Sequence, residues 1–289
     1  MRKIILCLIT FFSTITAQDF QYKLSICAVT QDEGPWLKEW IEYYLLTGVE
    51  HFWIYDNNSK DNSIEVLKPY IEKGIVELID WPLSTHNHVA YLKMQIGAYN
   101  DVLRYARGKT EWLACVDIDE FIVPIQEKTI TETLDKHFSN CAGVVVNWQL
   151  YGTSLVEKIQ PNELMVEMLT CRAPVNYQKH VSTKSIFKPH LVTECPDPHY
   201  FTYIPGHYNV DTHGQRYELL NFVIYTDVLV INHYWFKDED FFYKVKIPRY
   251  VIWSKSNQVL HRFYDILNQE EDRIMDRFIP ELRDRVFGK

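Results

Sequence analysis

With 289 residues, 47% hydrophobic and 24% charged, the chain has the composition of a globular protein with enough apolar material for a large core. A formal net charge of −8 and the lack of any basic block argue against a nucleic-acid partner, since nothing would neutralise a run of phosphates. Six cysteines without a C-x-x-C pair give no support to a structural zinc site.

The opening segment "MRKIILCLITFFSTITAQDF" places Arg2 and Lys3 before an apolar run from Ile4 to Phe12, then small residues to Ala17. That order predicts a secretory signal peptide over residues 1–17, with an uncleaved anchor or a buried strand as alternatives. The run is about half the roughly 20 residues a spanning helix needs, so membrane contact is expected only through an uncleaved N-terminal segment. The implied location is the secretory pathway or cell envelope: the ER or Golgi lumen in a eukaryote, export in a bacterium. Cytosolic retention stays open.

Past this segment, "LSICAVT" (Leu24 to Thr30) reads as a short apolar strand. A helix follows Gly34-Pro35, with Trp36, Leu37, Trp40, Ile41, Tyr44 and Leu45 on one face. "HFWIYD" is a second strand, ended by the turn "NNSKDN". A helix from Ser63 to Glu72 stops at Gly74, and "IVELID" is a third strand. A longer helix runs from about Tyr91 to Arg107, and "EWLACVD" is the fourth strand. This alternation predicts right-handed βαβ units and a parallel sheet whose ligands bind beyond the carboxyl ends of the strands. Those ends are Thr30-Gln31-Asp32, Asp56-Asn57, Asp80-Trp81 and Asp117-Ile118-Asp119, all polar or acidic. Beyond Pro124 come a short helix (Thr131 to Phe138), the strand "GVVVNWQLYG", and a mixed region from Pro161 to Tyr225. The strand "DVLVINHYW" and a helical tail broken by Pro248 complete the chain. One α/β domain over residues 22–289 is expected, with a nucleotide-binding half (22–125), an acceptor and metal half (126–250) and a helical tail (251–289).

In a strand, residues i and i+2 share a face, so Asp117 and Asp119 would both face a ligand while Ile118 packs behind. Two such carboxylates suit Mg²⁺ or Mn²⁺ bound to phosphate oxygens. The D-x-D pattern alone is weak, since Asp238-Glu239-Asp240 repeats it; position at the ligand edge gives the first copy its weight. Glu120 would point to the opposite face and support the loop. His233 becomes a third ligand if its strand end meets Asp119, and is otherwise a core histidine. The turn "YDNNSKDN" is either plain turn chemistry or a base-binding loop with Asp56 accepting from a uracil N–H. Neither G-x-G-x-x-G, nor a P-loop, nor G-x-S-x-G is present.

The segment "AVTQDEGPWLKEWIEYYLLTGVEHFWIYDNNSKDNS" resembles the opening of GT-A glycosyltransferases, specifically glycosyltransferase family 92 and related family-2-like enzymes. The resemblance continues in "VELIDWP", "QIGAYNDVLRYARGKTEWLACVDIDEFIVP", "VVVNWQLYGTS", "KSIFKP" and "INHYWFKDEDFFYK". It implies a GT-A (nucleotide-diphospho-sugar transferase) fold with a mostly parallel central sheet flanked by helices. It also implies metal-dependent, inverting transfer of a sugar, commonly galactose from UDP-galactose, onto a glycan hydroxyl in glycan biosynthesis. Carried over by position, Asp119 ligates the metal, Asp117 contacts the ribose or the metal, and His233 is the third ligand. Thr30, Asp32 and Asp56 line the uridine pocket, Asn100 faces the nucleotide sugar, and Lys237 meets the diphosphate. The sequence departs from the family pattern at Gln31-Asp32-Glu33 and at Gly152-Thr153-Ser154-Leu155. An inverting displacement also needs a carboxylate base, for which Asp211 and Asp240 are candidates and Glu194 a further one. Trp148 and Tyr151 could stack on an acceptor sugar. The alternatives are an inactive GT-A relative that binds glycans and a nucleotidyltransferase.

Overall fold

A computed structural model describes residues 19–218, 223–254 and 258–288. The expected leader over residues 1–17 lies outside the described residues. The first four strands are β1 (Tyr22–Thr30), β2 (His51–Asp56), β3 (Val76–Asp80) and β4 (Thr110–Cys115). Helices α1 (Gly34–Leu46), α2 (Ser63–Glu72) and α3 (His88–Ala106) connect them. The order β3-β2-β1-β4 is parallel throughout, and every residue of β2 is buried. Burial on both faces is why β1 and β2 read as nearly unbroken apolar runs.

The period of two still sorts the side chains. Ile26 and Ala28 pack into one core with Leu37, Trp40 and Ile41 of α1. Cys27 packs on the other face, with Ala98, Tyr99 and Val102 of α3. Helix α3 begins three residues before the expected Tyr91, because the side chain of Asn87 caps it by accepting from the Ala90 N–H at 2.9 Å.

The later strands are β5 (Glu120–Pro124), β6 (Gly143–Leu150), β7 (Cys171–Arg172), β8 (Thr183–Phe187) and β9 (Val192–Asp197). They are followed by β10 (Tyr200–Tyr203), β11 (Asn209–Val210), β12 (Leu229–His233) and β13 (Glu270–Glu271). The large sheet continues β4-β8-β6-β12-β5, with β11 alongside β6. The pairings β4–β8, β8–β6 and β12–β5 are antiparallel and the other five in this sheet are parallel, so the sheet is mostly parallel as expected. Strand β8 is the element the mixed region concealed. Its centre carries Lys184 and Ser185, both buried, so it shows no apolar alternation.

Glu39 of α1 is likewise buried and accepts from the N–H groups of Met165 (2.7 Å) and Val166 (2.9 Å), pinning the short helix Met165–Met168. Burial pushes its carboxyl up to about 7, with the two backbone donors pulling the other way. The folded chain therefore holds a proton that an unfolded Glu, at about 4.3, has lost. Its contribution to stability is complete below about 4.3 and declines as pH rises through about 7. Wild type should lose on the order of 2–3 kcal/mol relative to Glu39→Gln between pH 4.5 and 7.5, read from urea midpoints. Parallel pH profiles for the two proteins would refute this.

Candidate functional site

A cavity of about 290 Å³ opens at the carboxyl ends of β1 and β4. Its walls come from the loop after β1, from α3, from the β4–β5 turn, from β6, β8 and β12, and from the segment carrying Lys246 and Arg249. Sheet order explains the convergence. β6 and β12 run parallel in register, with Ile231 beside Trp148 and His233 beside Leu150. β12 pairs antiparallel with β5, with His233 opposite Glu120.

Strand β4 ends at Cys115, so Asp117, Ile118 and Asp119 form a turn closed by the Glu120 N–H donating to the Asp117 carbonyl at 3.1 Å. Strand alternation therefore does not orient the two aspartates, and they have different partners. Asp117 accepts from Gln95 Nε2 at 2.5 Å and from Lys184 Nζ at 3.1 Å. Asp119 lies 3.4 Å from His233 Nε2. Burial opposes ionisation of Asp119, but His233 overrides it and holds the carboxyl well below the usual range. Glu120 is fully buried inside the turn; its Oε2 accepts from the Asp117 N–H at 2.9 Å and lies 3.5 Å from Lys184 Nζ. Burial pushes the Glu120 carboxyl up to about 7, against the pull of Lys184. The Lys184 ammonium is raised despite its own burial, by Asp117 and Glu120.

Among the described residues, no three of His, Cys, Asp and Glu are grouped to hold a metal ion. The expected trio of Asp117, Asp119 and His233 lines one cavity, with the Asp117 carboxylate accepting from Gln95 and Lys184. Asp119 and His233 nevertheless fit two positions of a divalent cation. Mg²⁺ or Mn²⁺ at a diphosphate commonly takes one or two protein ligands and fills its other positions with phosphate oxygens and water. The mixed oxygen and nitrogen pair favours Mn²⁺ over Ca²⁺.

Lys246 and Arg249 line the same cavity. Burial pushes the Lys246 ammonium down to about 7; Asp119 pulls it up, while Arg249 and Lys237 push it lower. Thr30 lines the cavity with a buried hydroxyl that has no hydrogen-bond partner among the described residues. Trp148 lines it too, edge-on to His233 (ring centroids 4.6 Å apart) and His199 (5.1 Å).

The other residues singled out in the sequence sit elsewhere. Asp32, at φ 56°, is exposed and accepts from the Lys60 N–H at 2.6 Å, so its neighbours Gln31 and Glu33 face the cavity instead. Asp56 turns back on its own loop, accepting from the Ser59 N–H at 3.3 Å. Asn100 is spent on β9, donating to the Cys195 carbonyl at 2.7 Å and accepting from the Cys195 N–H at 2.9 Å. Lys237 is buried, paired with Glu33 between the rings of Trp36 and Phe241. Asp211 accepts from the backbone of His213 and Gln215, and Asp240 pairs with Lys244; neither lines the cavity. Tyr151 is a core residue against Tyr234. Gln95, Lys184, His199, Lys246 and Arg249 escaped the sequence reading. "KSIFKP", a lysine heading an apolar run, was the one visible trace of Lys184.

Comparison with known proteins gives the following. A glycosyltransferase family 92 protein of Ricinus communis is 28% identical over 82% of this chain and 40% of its own length. The chain thus spans about two fifths of that relative. A galactan beta-1,4-galactosyltransferase of Arabidopsis thaliana is 34% identical over 35% of this chain and 21% of its own. The crystal structure of S. aureus TarS 1–349 with UDP-GlcNAc aligns over 92% of this chain and 72% of its own, at 14% identity and a TM-score of 0.38. The family profile of Glycosyltransferase family 92 matches residues 22–263, and the chain belongs to that family.

Proposed function

We propose that the chain transfers a hexose, with galactose the best candidate, from a UDP-sugar to a glycan hydroxyl, with inversion and with Mn²⁺ or Mg²⁺ as cofactor. The observation that carries the reading is the meeting of Asp119 and His233 in a cavity that Lys246 and Arg249 also line. Acidic and basic side chains in one cavity suit a metal-bound diphosphate. The galactan galactosyltransferase among the relatives favours galactose as the donor sugar and a galactan-like acceptor.

A divalent cation held by Asp119 and His233 would offset the negative charge that grows on the leaving diphosphate. Lys246 and Arg249, which line the same cavity, would meet the same phosphates. Thr30, with its unpartnered hydroxyl at the end of β1, would hold the nucleotide. Lys184 and Gln95 keep Asp117 fixed, so this carboxylate is available to a ribose hydroxyl only along its cavity-facing edge. Trp148 offers an aromatic wall for the acceptor sugar.

Mn²⁺ with UDP-galactose should raise the melting temperature, reaching about 2.7 kcal/mol of stabilisation at a hundred times Kd. UDP-glucose, UDP-N-acetylglucosamine and GDP-mannose serve as donor controls. No shift with any nucleotide and metal would defeat the proposal, as would pyrophosphate release from a nucleoside triphosphate. A secretory location remains part of this proposal; among the described residues, no helix is long and apolar enough to cross a membrane.

A further inference from the structure

Buried beside the cavity, two polar atoms face each other without a hydrogen bond. Glu120 Oε1 and His233 Nδ1 are both inaccessible, 3.8 Å apart, and without a hydrogen-bond partner among the described residues. Their residues are direct cross-strand partners of β5 and β12, so both side chains leave the sheet on one face. The other Glu120 oxygen is already engaged by the Asp117 N–H and Lys184. The other His233 nitrogen looks at Asp119, and Trp148 packs edge-on against the ring. A buried donor or acceptor left unmade is costly, and closing the 3.8 Å gap to hydrogen-bond length would satisfy both atoms. Asp119, which keeps 17% of its side chain exposed, can be satisfied by solvent or a cation; fully buried Glu120 cannot.

We infer that Glu120 is a positioning residue: it accepts a hydrogen bond from the Nδ1–H of His233, and so leaves the Nε2 lone pair turned toward Asp119 and the cavity, ready for a cation. The inference rests on the proposed cation site, and it assigns to this chain a buried carboxylate that sets the tautomer of a ligand.

Glu120→Gln makes the sharp test. The Gln oxygen is required by the Asp117 N–H, which leaves its NH₂ group facing Nδ1. A donor there forces the proton to Nε2 and blocks the lone pair. Histidine side-chain ¹H–¹⁵N spectra are recorded at about pH 8, above the ordinary histidine value of about 6.5, and assigned with His233→Gln. Wild type should carry the proton on Nδ1 and Glu120→Gln on Nε2. Mn²⁺ affinity, read by electron paramagnetic resonance without any substrate, should fall about 10–100-fold in the variant. An Nε2-protonated wild type overturns the inference even if the variant does not fold. An unchanged tautomer and Mn²⁺ affinity in a folded variant overturns it as well. Wild type with the proton on Nδ1, a tautomer switch in the variant, and no Mn²⁺ binding would uphold the role of Glu120 while defeating the metal-dependent reading.

Discussion

Asp119→Ala lowers sugar transfer on the order of 10²–10³-fold and leaves the fold intact, because the carboxylate faces the cavity and its backbone ties survive the change. The Tyr234 N–H donates to the Asp119 carbonyl at 2.8 Å, a bond that alanine keeps. Among the described residues the carboxylate's ion-pair partner is His233 at 3.4 Å, and losing this mostly buried, charge-assisted contact costs about 1–3 kcal/mol. Loss should appear in kcat for UDP-sugar transfer and in Mn²⁺ affinity, with a fall in the urea midpoint too small to unfold the protein. Undiminished turnover in the variant, or full wild-type activity in EDTA, would count decisively against the proposed site.

Lys184→Met produces the opposite profile, a large loss of stability. The ammonium is buried between Asp117 at 3.1 Å and Glu120 at 3.5 Å. Removing one member of a buried charge group strands the others, at about 3–5 kcal/mol. Here two carboxylates would remain against each other in a turn that must keep its shape. The urea midpoint should drop accordingly. Adding Asp117→Asn should return part of the loss, a coupling that a double-mutant cycle measures. Additive effects of the two substitutions would show that Lys184 acts through packing alone.

The contrast between these variants follows what could be read from sequence. Leu24 to Thr30 and His51 to Asp56 were legible because central parallel strands are apolar on both faces. The site's location was legible for the same reason: β-α alternation fixes which sheet edge takes ligands. Its internal geometry was not. The inference that Asp117 and Asp119 share a face assumed a strand that in fact ends at Cys115, and a turn obeys no period of two. Lys184 looks like a surface lysine until Asp117 and Glu120, more than sixty residues earlier, are brought to it by the β4–β8 pairing. Asn100 and Tyr151 show the converse error: both carry site-like chemistry and both are consumed by the scaffold. Such differences depend on long-range pairing, which single-residue propensity does not contain.

The pairing of β12 with both β6 and β5 places the His233 side of the proposed cation site by strand register, while the β4–β5 turn places Asp119. A one-residue slip of β12 would turn His233 to the opposite face and leave Asp119 alone at the rim. Moving His233 away from Asp119 therefore means breaking ladder bonds between β12 and its neighbours β5 and β6, at one end of the sheet. Occupancy of the proposed site by a metal would thus report on the integrity of that three-strand end of the sheet.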